Sequence, residues 1–161
     1  MSRGNNTTDS RSRREQFGLT THSLLVLFLL ISPTIVSAQS SLSQINVEPA
    51  AGLPNGFVTE VDILFVYDAN LLNQLPFTQF DWVSSKELYL EREDNLLDII
   101  TLTVKPDSSV VPINLPARSN DAVGVLVFSS HEDPVAEALD ISFESNIVLQ
   151  IESYGINVLQ R

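Results

Sequence analysis

The stretch "VDILFVYDANLLNQLPFTQFDWVSSKELYL", Val61–Leu90, decides how this chain folds. With the four residues before it, its start reads "FVTEVDILFVYD", dense in β-branched and aromatic side chains, and predicts a strand over Phe57–Asp68. Val61, Ile63, Phe65 and Tyr67 share one face; Leu64 and Val66 share the other with Glu60, Asp62 and Asp68. The first face is expected to be buried throughout, the second only near its middle. The pattern then changes. Asp68 suits the N-cap of a short helix, Ala69–Leu75, which Pro76 ends. A second helix is predicted over Phe80–Leu90, with Phe80, Val83, Glu87 and Leu90 along one stripe and Trp82 to the side. "EREDN", Glu91–Asn95, is a charged turn. A strong strand is thus followed at once by a helical insertion.

The sequence returns to strands after the insertion. "DIITLTVKPD", Asp98–Asp107, alternates cleanly, with Ile100, Leu102 and Val104 inward, as a half-buried antiparallel strand does. "VVPINLP", Val110–Pro116, fits only an edge, because Pro112 has no N–H for a ladder. "DAVGVLVFSS", Asp121–Ser130, is apolar on both faces and reads as a central strand, with Gly124 marking a close approach or a bulge. "HEDPVAEALD", His131–Asp140, is a loop or single helical turn; "ISFES", "NIVLQIES" and "INVLQ" follow as strands, with a tight turn at Tyr154-Gly155. Six or seven strands that do not alternate with full helices predict a mainly β fold. The expectation is a two-layer antiparallel β-sandwich of transthyretin or immunoglobulin type, with the helical insertion after its first strong strand.

The N-terminal part differs from the rest. Residues 1–22 are polar and contain Arg3, Arg11, Arg13 and Arg14; "LLVLFLLI", Leu24–Ile31, is followed by Pro33 and "VSA". A basic region, a short apolar core and small residues before a cut site describe a secretory signal peptide over 1–38. The apolar run is shorter than the ~20 residues of a membrane span. Retention as an N-terminal anchor is the alternative to cleavage. Arg13-Arg14 reads as ordinary charge of the basic region rather than as a twin-arginine motif. Gln39–Gly56, rich in Ser, Ala, Pro and Gly, reads as a flexible lead-in in which Ser43–Val47 is at most a short edge strand. The sandwich domain is expected over 57–161.

The signal takes away two acids and four arginines, so Gln39–Arg161 holds 18 acids against five bases, a charge of −13. Such a surface repels nucleic acid and anionic headgroups and favours a basic partner. With no cysteine in the chain, neither disulfides nor a lipid-modified cysteine is available, and the core alone must hold the domain.

Catalytic chemistry finds little support. His131 is the only histidine after the signal, which rules out two-histidine zinc motifs. Ser129 and Ser130 lie beside it, but no G-x-S-x-G turn is present, and "SSHEDP" reads as a solvated turn. The acids of "EREDNLLD" lack the alternating ligands and central glycine of an EF-hand, and no Gly-rich loop precedes a helix for phosphate. No cofactor is called for. The one aromatic concentration, Phe77, Phe80, Trp82 and Tyr89, is the candidate partner-binding set, with packing as a satellite core the competing role.

The order of these elements resembles a known family. Val66-Tyr67, the "LL..L…W" insertion with Trp82 and Leu88, then Val104, Pro106 and the Ala122–Phe128 strand are similar to the outer-membrane lipoprotein of type VI secretion systems. The resemblance covers Phe57–Ser130. It implies a transthyretin-like sandwich on the periplasmic face of the outer membrane, bound to the periplasmic part of the large inner-membrane component. The family's lipobox cysteine is missing here: Gln39 stands where the lipid anchor belongs. Membrane contact is then expected only through the signal segment or a partner. The expected function is a non-enzymatic, exported assembly or anchoring component. Partner capture by strand addition at a sheet edge is a second mode. A ligand- or carbohydrate-binding module is the alternative.

Overall fold

The computed structural model describes residues 40–161, apart from Glu93 and Glu132. The expected signal, 1–38, lies outside the described residues. Eight strands and two helices follow in the order β1 (Gln44–Pro49), β2 (Thr59–Val66), α1 (Ala69–Leu72), α2 (Gln79–Leu90), β3 (Leu97–Val104), β4 (Val111–Pro112), β5 (Gly124–Ser129), β6 (Leu139–Asp140), β7 (Asn146–Glu152) and β8 (Gly155–Gln160). They form two four-stranded sheets, one ordered β4-β1-β7-β8 and the other β3-β2-β5-β6. The fold is a mainly β sandwich. Every ladder is antiparallel except that of β1 with β7, which is parallel from Gln44↔Asn146 to Pro49↔Ile151.

The inter-sheet core follows from the alternation. Ile45, Val47, Ile147, Leu149 and Ile151 of one sheet meet Val61, Ile63, Phe65, Val125 and Val127 of the other, all essentially inaccessible to water. Burial of this apolar area, at about 25 cal/mol per Å², is what must offset the chain entropy in a protein without disulfides. Among the described residues no helix is long and apolar enough to cross a membrane.

Two expectations need correction. The segment 39–56, expected as a flexible lead-in with at most an edge strand, contains a central strand instead. Ile45 and Val47 are in the core, and the chain is fixed as early as Ser40, whose N–H donates to the Ala122 carbonyl at 2.9 Å. The reason is long-range: the β7 partner lies about a hundred residues away, so nothing local in a Ser- and Pro-rich stretch signals the pairing. "ISFES" is a turn, not a strand. The Asp140 carboxylate accepts from both the N–H and the hydroxyl of Ser142, and that hydroxyl accepts from the Val125 N–H at 2.8 Å. Local side-chain bonds of this kind compete with ladder formation, and Phe143 is left exposed.

Gly124 marks a close approach, without a bulge, since the β2–β5 register is unbroken from Val61↔Ser129 to Val66↔Gly124. A Cβ there would lie 2.7 Å from Leu72 Cδ1 of α1. Gly124→Ala is therefore expected to destabilise the protein by about 1–2 kcal/mol through overpacking. Leu72→Ala in the same chain should give part of that back, measured as coupling in a denaturation double-mutant cycle.

Candidate functional site

The outer face of β2 is buried near its middle, as expected: Asp62 is 5% exposed and Leu64 and Val66 are inaccessible, while Glu60 at its start is exposed. α1 and α2 lie over it and form a second apolar cluster of Leu64, Val66, Leu71, Trp82 and Phe128. The insertion is a cover for the sheet, and capping fixes both helices. Asp68 accepts from the Leu71 N–H at 2.8 Å, and Thr78 accepts from the Asp81 N–H while its hydroxyl donates to the Asp81 carboxylate. The roots of the excursion are tied together as well. Tyr67 donates to Asp98 at 2.7 Å, and the Arg118 guanidinium stacks over the Tyr67 ring at 3.7 Å and donates to the Asn95 carbonyl. Burial raises the Tyr67 pKa well above the phenol range, and the bond to Asp98 and its charge raise it further; Arg118 opposes them in part.

Trp82 does not reach the surface. It is inaccessible to water, stacked on Phe128 with ring centres 5.0 Å apart, with Tyr89 at 5.6 Å. Its indole N–H donates to Asp62 at 2.8 Å. Trp82, placed in the partner-binding set by sequence, is thus part of the support beneath that set; Tyr89, half-buried against it, stands at the margin. The other two aromatics are outside: Phe77 is 63% and Phe80 64% exposed. α2 is apolar on both sides, with Trp82 and Tyr89 inward and Phe80, Val83, Leu88 and Leu90 outward. An apolar outward face on a helix already packed by its other side is what an interface needs.

The fold joins to the start of α2 the segment Pro134–Ala138, part of the stretch expected as a loop or single helical turn. Gln79 N–H donates to the Ala136 carbonyl at 2.9 Å, Phe80 N–H to the Pro134 carbonyl at 3.0 Å, and Ala138 N–H to the Phe77 carbonyl at 3.0 Å. This short bridge ties the segment carrying Val135, 74% exposed, to the start of α2, where the Phe80 N–H meets the Pro134 carbonyl. Phe77, Phe80, Val83 and Val135 are thus exposed apolar side chains on two segments more than fifty residues apart that the bridge joins. At Phe77 a hollow of about 390 Å³ is lined mostly by apolar side chains, among them Leu72, Leu75, Phe77 and Leu126, with Asn73 and Asp140 as its polar members, and is large enough for an anchor side chain. No local signal marks Val135 in "HEDPVAEALD"; only the bridge brings it there.

Beneath α2 lies a charged network. Asp62 accepts from Trp82, from Thr101 at 2.5 Å and from the Lys86 ammonium at 2.8 Å; Lys86 also reaches Glu60 at 2.6 Å. Burial pulls the Lys86 pKa down, but the bonds to Asp62 and Glu60 outweigh it and the net shift is upward. The network pins α2 to β2 and β3.

His131, expected in a solvated turn, is half-buried at the other end of β5. Its Nε2 lies 3.2 Å from the Gly155 carbonyl and so carries the proton; Nδ1 is left to accept from Ser129, which touches it, and from Thr59 at 3.0 Å. β5 ends at Ser129, and the turn that follows brings the His131 ring back onto the Ser129 hydroxyl. The Ser129 hydroxyl is sealed at 1% exposure, so this pair offers a substrate no nucleophile. Burial lowers the His131 pKa, with the Gly155 carbonyl and a Glu152 backbone bond opposing. The unfolded imidazole titrates near about 6.5, so the unfolded state binds the extra proton first as pH falls. Stability is therefore expected to be level above pH ~7 and to fall as pH drops through ~6.5 toward the lower folded value. His131→Gln should flatten that slope in denaturation curves collected at intervals between pH ~5 and ~8.

No protein-family model matches the chain, and no curated protein matches it by sequence. Among solved structures it is similar to the crystal structure of the T6SS lipoprotein TssJ1 from Pseudomonas aeruginosa, with 10% identity and a TM-score of 0.47 over 73% of this chain and 94% of that one.

Proposed function

We propose that the protein is an exported, non-enzymatic envelope component that works by binding another protein, as an assembly or anchoring part of a type VI secretion membrane complex. One observation carries the binding role: the exposed apolar surface of Phe77, Phe80, Val83 and Val135, set on a helix whose opposite side is locked into the sheet. A surface of that kind is held ready for a partner at little ordering cost. The assignment to a secretion complex is supported by the sequence resemblance over Phe57–Ser130, and the partner it implies is the periplasmic part of the large inner-membrane component. Without the lipobox cysteine, retention at the outer membrane falls to the N-terminal segment or to a partner.

The test is a photo-cross-linking residue at position 83 or 135 of the full chain in cell envelopes, with position 157 on the other sheet as control. The first two are expected to trap that inner-membrane component and position 157 is not. Phe80→Ser with Val135→Ser should abolish the cross-link while leaving unfolding stability within about 0.5 kcal/mol, since both side chains are already in water. Equal trapping at all three positions, or loss of the cross-link only with loss of folding, would refute the reading.

A further inference from the structure

The chemistry around the apolar surface selects its occupant. Asp81 and Glu87 lie on α2 with Phe80 and Val83, and Asp133 and Glu137 lie two residues either side of Val135; all four are exposed. Among the described residues the bases are Lys86, Arg92, Lys105, Arg118 and Arg161, and Lys86, the one on this helix beside the surface, is consumed by Asp62 and Glu60. An apolar centre ringed by carboxylates is complementary to apolar anchors flanked by cations. A second copy of the chain meets that surface with the same four acids, and like charges facing across an interface oppose association. Anionic lipid is repelled for the same reason. The length of the surface, from Phe77 to Leu90 along α2, matches a helix laid against a helix.

We propose that the occupant is a basic amphipathic segment of a partner protein. Its apolar residues cover Phe80, Val83 and Val135, one of them enters the Leu72–Phe77–Leu126 hollow, and its lysines or arginines lie against Asp81, Glu87, Asp133 and Glu137. This rests on the protein-binding reading above and adds the chemistry of what is bound. The methylene stems of those cations contribute apolar cover while their heads reach the carboxylates.

The experiment is a selection from a random 16-residue peptide library on the full chain, counter-selected on the Phe80→Ser/Val135→Ser variant. That variant has the same charge, so peptides held only by the general acidity of the protein are removed. The expected survivors carry net positive charge with apolar residues at three- and four-residue spacing. Their affinity should fall at least tenfold in the serine variant. It should also fall about tenfold between 50 and 300 mM salt, and lose that salt dependence when Asp81, Glu87, Asp133 and Glu137 are changed to Asn or Gln. Survivors that are neutral or acidic overturn the basic partner while leaving the surface in use. A selection in which no peptide separates the wild-type chain from the serine variant overturns the surface itself.

Discussion

Trp82→Ala is expected to lower the unfolding free energy by roughly 3–5 kcal/mol, the cost of emptying a large buried site that cannot fully collapse. The indole is inaccessible to water, stacked on Phe128, and donates to Asp62. Its removal leaves a void between α2 and the sheet and takes a donor from a buried carboxylate. Trp82→Phe separates the two effects. It keeps a ring stacked on Phe128 and loses the N–H with part of the ring volume, so a loss smaller than that of Trp82→Ala, about 1–3 kcal/mol, is expected for the unsatisfied bond and the smaller void. Urea denaturation followed by far-UV circular dichroism measures both. A Trp82→Ala loss below about 1 kcal/mol would mean that α2 does not depend on this contact. Under the proposed binding role, partner binding should weaken in Trp82→Ala only in proportion to the loss of α2, because the indole is buried under the helix.

Trp82 also shows what the sequence makes legible. β3, with its clean alternation, can be read directly, because a half-buried strand must segregate its side chains by face, and β2, β5 and β7 can be read from their runs of β-branched and aromatic residues. So can the Asp68 cap and the edge position of Pro112, since each follows from local bonding. The place of β1 in the middle of a sheet cannot be read, because its partner is β7, at the far end of the chain. Nor can the side on which Trp82 lies. α2 carries apolar residues on both faces, so periodicity fixes the helix without fixing which face is inward. The candidate surface was half visible: Phe77 and Phe80 were identifiable by their chemistry, whereas Val135 acquires its role only from the bridge to Phe77–Phe80.

The second large effect is expected at Lys86. Its side chain is 14% exposed and that of Asp62 7%, with the two charges 2.8 Å apart, so neither is well hydrated. Removing one partner strands the other in a low-dielectric site. Lys86→Met is therefore expected to cost about 3 kcal/mol, most of it the penalty of an uncompensated Asp62. Adding Asp62→Asn should restore more than half of the loss. The amide oxygen can still accept from Trp82, its NH2 can donate to the Thr101 hydroxyl on the other side, and no charge remains to be desolvated. In the wild type the folded Lys86 pKa lies above its unfolded value, so its contribution is complete below pH ~10 and disappears as pH rises through the folded pKa. The double variant should lack that alkaline loss. If Lys86→Met and the double variant unfold at the same urea concentration, the ion pair does not fix α2 on the sheet, and the rigid presentation of Phe80 and Val83 would rest on Trp82 alone.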